Sequence, residues 1–79
     1  MSKVIFCLDK SIQTLGITAN YLAVEAKVPP NSVYNMVENK TTRIHLVTIH
    51  TLLDTMNRIA KENDVNQRFG IEDVIKYVN

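Results

Sequence analysis

Two adjacent prolines interrupt an otherwise helix-prone stretch at Lys27-Val28-Pro29-Pro30, and they constrain this 79-residue chain more than any other feature. Proline disfavours the helical conformation in the residue before it, so Val28 and Pro29 cannot both continue a helix. Pro30 suits the first position of a new helix, where no amide donor is needed. The spacing therefore predicts two short helices joined by a tight turn. Before the turn, Thr18 has the hydroxyl of an N-cap, and Leu22 and Ala26 share one face of a helix over 18–26. After it, a helix over 30–38 turns Val33, Met36 and Val37 inward, which leaves Asn31, Ser32, Tyr34 and Asn35 on one outward face.

The rest of the chain divides in the same way. Residues 3–8 are apolar and β-prone, enough for a short strand or extended arm. Leu8, Ile12 and Leu15 make a helical stripe that Gly16 ends. Residues 38–43 form a polar loop in which Asn39 tolerates a left-handed turn. The longest periodic stretch, about 46–62, carries Leu46, Ile49, Leu53, Met56 and Ala60 at spacings of 3 and 4, widened by Leu52 and Ile59. Residues 63–70 read as a polar connection. In 71–78 the apolar residues Ile71, Val74, Ile75 and Val78 fit a helix, while the β-branched content equally permits a strand. Part of this segment and Val4-Ile5-Phe6 need cover, by each other within one chain or across two.

Composition narrows the function classes. A hydrophobic content of 46% and a charged content of 22% suit one soluble domain spanning 1–79, and a chain this short is already close to marginal stability. The formal net charge is +1, divided as +2 over residues 1–45 and −1 over 46–79. No apolar run reaches the ~18 residues of a membrane span. No secretory signal is evident, and the single cysteine, Cys7, excludes an intramolecular disulfide, so the expected setting is cytoplasmic. An enzyme is not expected: the glycines, Gly16 and Gly70, form no phosphate loop. His45 and His50 are five apart rather than the three or four that aligns metal ligands. Cys7 sits in an apolar run as a small hydrophobe. No metal and no cofactor are expected.

Close crossing of the two short helices demands a very small side chain on the first and a β-branched anchor about ten residues later; Ala23 and Val33 meet those demands. Leu22, Ala26, Val28 and Met36 supply the surrounding apolar contacts. The unit ITANYLAVEAKVPPNSVYNM (residues 17–36), followed by NKTTRIHLVTIHTLL (residues 39–53), resembles the lambda-repressor/Cro-like (Xre-type) helix-turn-helix regulators, in their short single-domain phage and prophage form. The resemblance runs without a gap over roughly residues 4–57. It implies a mainly α fold, a compact bundle of about five helices with a helix-turn-helix, with room for short extended segments at both ends. It also implies a homodimer on double-stranded DNA, with the second helix of the motif in the major groove. The function so implied is a sequence-specific transcriptional regulator, a repressor acting by operator occupancy.

Under that resemblance Asn31, Ser32, Tyr34 and Asn35 are the base-contacting residues, the asparagines pairing with adenine edges and Tyr34 packing on a thymine methyl. Phosphate contacts fall to Lys27, Lys40 and Arg43, with Thr18, Asn20, Thr41 and Thr42 as neutral donors. Three cations per protomer imply a salt slope of about −5 for a dimer, at ~0.9 per phosphate. Three positions depart from the family pattern. Lys27 fills the turn position usually held by glycine, Ala19 stands where a phosphate-clamping glutamine is common, and Pro30 replaces a polar reader. The motif's second helix also carries no Arg or Lys, which motivates an alternative: a module of the same fold that binds another regulatory protein.

Overall fold

A computed structural model describes residues 2–41 and 43–79 of the chain. Strand β1 (Lys3–Phe6) leads into four helices, α1 (Leu8–Leu15), α2 (Ala19–Ala26), α3 (Pro30–Val37) and α4 (Leu46–Glu62). A 3-10 turn (Ile71–Asp73) then delivers strand β2 (Ile75–Val78). The strands pair antiparallel, Lys3 opposite Val78 and Phe6 opposite Ile75, so the two ends of the sequence close on each other. The expected bundle of about five helices is thus corrected to four helices and a two-stranded sheet. Residues 71–78, open between helix and strand, take a turn and a strand. The physical reason is pairing: β1 offers a ladder that a four-residue segment rich in β-branched and aromatic side chains can complete.

Each boundary has a local cause. Gly16 ends α1 in the left-handed region at φ 70°, its amide reaching the Gln13 carbonyl at 3.1 Å. Thr18 caps α2, its hydroxyl oxygen accepting from the Tyr21 amide at 3.0 Å. Lys27 ends α2 at φ 58° and ψ 38°, the left-handed conformation its place in the turn demands. The Lys27 amide donates to Val24 and the Val28 amide to Ala23, at 3.2 and 3.0 Å, which satisfies carbonyls the helix leaves open. Pro30 opens α3 at its first turn, and Asn39 follows α3 at φ 59°.

The core joins Leu8, Leu22, Ala23, Val33, Leu52, Met56 and Val74, all fully buried, with Ile59 and Ala60 beside them. The expected stripe of α4 enters the core only at Ile49. Leu46, assigned to that stripe, is 79% exposed. It lies in the first turn of α4, where the preceding loop is itself exposed and no element covers it. Phe69 corrects the picture in the other direction: within a stretch expected to be a polar connection it is 3% exposed. The Asn57 side chain seats it, accepting from the Phe69 amide at 2.7 Å and donating to its carbonyl at 3.1 Å.

Asn39 repeats that device on β1, accepting from the Phe6 amide at 2.7 Å and donating to its carbonyl at 3.2 Å. Ser11 on α1 donates to the Asp73 carbonyl at 2.7 Å and so fastens the 3-10 turn to the helices. Arg58 on α4 reaches Glu25 on α2 at 3.0 Å and Glu62 at 3.5 Å. The hydrogen bond to Glu25, and the charge of Glu62, hold its guanidinium above the ordinary value. Among the described residues no helix is long and apolar enough to cross a membrane.

Candidate functional site

Helix α3 is amphipathic, and its two faces have different work. Val33 and Met36 are buried and Val37 is half-buried against the core, so the opposite face must look outward. Asn31 and Asn35 are exposed and four residues apart, which sets them one above the other on a single stripe. Tyr34 is 41% exposed beside them, and Ser32 is half-buried at the margin. All four residues expected to read bases therefore have solvent access, and none is sealed in the core.

The loop after α3 comes back along this face. Ser32, Asn35, Thr41 and Arg43 line one cleft of about 220 Å³ together with Met36. Ile44, His45 and Thr48, at the approach to α4 and in its first turn, line it too. Two expected base readers and two expected phosphate contacts thus share a cleft, although the sequence treated them as separate groups. His45 and Thr48 were missed. The only sequence signal for them was proximity to the loop. His45 is the N-cap of α4, and its side chain makes no capping bond.

The remaining expected phosphate contacts are dispersed. Thr18 and Asn20 are exposed at the start of α2. The Thr18 oxygen is committed to the Tyr21 amide, but a hydroxyl that accepts one bond can still donate its proton. Lys27 is exposed in the turn between α2 and α3. Lys40 is exposed and lies 3.7 Å from Glu38, a solvent-screened pair that leaves its ammonium available. Thr42 lies outside the described residues.

Chemically the cleft offers amide, hydroxyl, guanidinium and imidazole groups, and among the described residues no carboxylate lines it. Such a set donates and accepts hydrogen bonds and attracts anions. Cys7 lies elsewhere, lining a cleft of about 300 Å³ with Lys10, Ser11, Glu72, Asp73 and Lys76. Burial, reinforced by the Asp73 carboxylate, pushes its thiol up, and the thiol donates to the Glu72 carbonyl at 3.2 Å. That environment suppresses the thiolate a nucleophile would need. Among the described residues no group of three or more His, Cys, Asp or Glu is arranged to hold a metal ion. No protein-family model, no curated protein and no solved structure matches this chain.

Proposed function

We propose that the chain is a sequence-specific double-stranded DNA-binding regulator, with α2 and α3 as its helix-turn-helix and α3 as the helix that enters the major groove. The observation that carries this reading is the outward stripe of Asn31 and Asn35 on α3, continued by Ser32 into the cleft that Arg43 and Thr41 complete. Asparagine can bond an adenine edge through two hydrogen bonds at once. A guanidinium beside it supplies the sequence-independent phosphate attraction that holds the helix in register. Regulation follows from occupancy: a protein seated on an operator excludes polymerase without covalent chemistry. A repressor of phage or prophage type is the form the sequence resemblance favours, acting in the cytoplasm as a homodimer.

A gel-shift titration against the DNA flanking the chain's own gene, at low and high salt, tests the proposal. Asn35→Ala should weaken the specific complex by about 1–3 kcal/mol, roughly 5- to 150-fold, and leave binding to unrelated DNA nearly unchanged. Arg43→Ala should weaken binding to every sequence and flatten the salt slope by about 1 per protomer. Absence of binding even at low salt would sink the reading. One observation favours the protein-binding alternative, namely that α3 carries no cation and the whole chain only +1. In that case the same Asn31, Tyr34 and Asn35 face would meet a regulator, and Asn35→Ala would disrupt that complex instead.

A further inference from the structure

A cleft of about 440 Å³ opens where the sheet meets the segment joining α3 to α4. Small-molecule sites typically enclose about 300–1,000 Å³. Val4, Phe6 and Ile75 supply its apolar lining from the sheet. Their convergence follows from the ladder, because alternate residues of a strand share a face and Phe6 stands opposite Ile75. Phe6 and Ile75 pack partly on the core, whereas Val4 is 65% exposed. Both main-chain polar groups of Phe6 are bonded to the Asn39 side chain, so the Phe6 main chain has no amide proton left to offer an occupant.

The segment after α3 brings Thr41, Arg43 and Ile44 to the same cleft. Among the described residues that line it, Arg43 alone is charged. No acidic side chain among the described residues forms an ion pair with it. A guanidinium presents a planar fork that matches a carboxylate through two parallel hydrogen bonds. We propose that this cleft binds a small amphipathic carboxylate, its hydrocarbon part against Val4, Phe6 and Ile75 and its charged end on Arg43. The Thr41 hydroxyl is a second donor to the carboxylate. One cation suits a monoanion better than a phosphate dianion, whose second charge would find no partner here.

The position of Arg43 gives such a ligand a consequence. Thr41, Arg43 and Ile44 also line the cleft that holds Ser32 and Asn35. The regulatory reading assigns Arg43 a DNA phosphate, and a guanidinium already neutralised by a carboxylate offers a phosphate little attraction. Resting on that reading, the carboxylate acts as an inducer that loosens the operator complex by removing one phosphate contact per protomer. The ligand site itself depends only on the cleft, so it is tested without DNA.

Titration of the full chain with sodium octanoate, followed by amide chemical shifts, should move Val4, Phe6, Ile44 and Ile75. A dissociation constant on the order of 1 mM is the strength expected of about ten non-hydrogen atoms. Sodium acetate, which lacks the hydrocarbon, and octylammonium, which reverses the charge, should leave these residues in place. Arg43→Gln should weaken octanoate binding about tenfold, and Arg43→Glu should turn the preference to octylammonium, with circular dichroism confirming that both variants stay folded. No shift at these residues, an equal response to octylammonium, or unchanged octanoate binding by Arg43→Gln would each overturn the proposal. So would shifts that follow protein concentration alone, which would mark a second copy in the cleft. In gel shifts, saturating octanoate should weaken the operator complex about as much as Arg43→Ala does, and the Arg43→Ala protein should show no further response. Octanoate that binds yet leaves the operator complex unchanged would overturn the inducer role. A chain that binds octanoate but no DNA would instead remove the regulatory reading and keep the ligand site.

Discussion

Lys27 and Asn39 occupy the same left-handed backbone region for opposite reasons. A non-glycine residue there costs roughly 1–2 kcal/mol. At Lys27 (φ 58°) nothing in the side chain offsets that cost, since the stabilising bonds use the main chain. At Asn39 (φ 59°) the side chain supplies both bonds that Phe6 needs. The two positions should therefore respond in opposite directions to glycine. Lys27→Gly should stabilise by up to about 1 kcal/mol, with the extra freedom of glycine in the unfolded chain taking back part of the gain. Asn39→Gly should destabilise by about 1–2 kcal/mol through two lost hydrogen bonds. Urea unfolding of the two variants checks both signs. Equal shifts would mean that backbone conformation alone governs these turns.

The crossing of α2 and α3 depends on two fully buried residues, Ala23 and Val33. Ala23→Leu would force a larger side chain into a filled contact and should cost about 1–3 kcal/mol. Because α3 must move to relieve the clash, the proposed regulatory reading requires DNA binding to fall further than the loss of folded protein explains. Comparing thermal unfolding with gel-shift affinity at a temperature where the variant is still folded separates the two effects. This pair of helices was the most legible part of the chain. Thr18, Pro29, Pro30 and Gly16 act through their own backbone chemistry, so their roles as caps and breaks survive any tertiary setting. Leu46 and residues 75–78 were not legible in that way. Periodicity says which residues share a face, but not where along α4 the core begins or whether another strand waits for 75–78.

At the scale of the whole molecule, closure comes from the chain's far end returning to its start. The 3-10 turn is fastened to α1 through Ser11, Val74 to Cys7 just after β1, and Phe69 to α4 through Asn57. Phe69→Ala should cost about 3–5 kcal/mol by opening a cavity in the core. A chain of 79 residues has a total stability of only about 4–12 kcal/mol at the usual ~0.05–0.15 kcal/mol per residue. The variant should therefore melt at a much lower temperature, as calorimetry would record; an unchanged transition would mean that Phe69 is not part of the cooperative core.

By itself the sequence determined the short helices, their caps and breaks, and the polar face of α3, because each follows from backbone chemistry or from the spacing of neighbours within one element. Only the tertiary structure decided that Phe69 is core and Leu46 is not, that the two ends pair as a sheet, and that Ser32 and Asn35 share a cleft with Arg43. Those outcomes depend on which distant segment arrives to cover or to bond a residue, and local spacing carries no record of that.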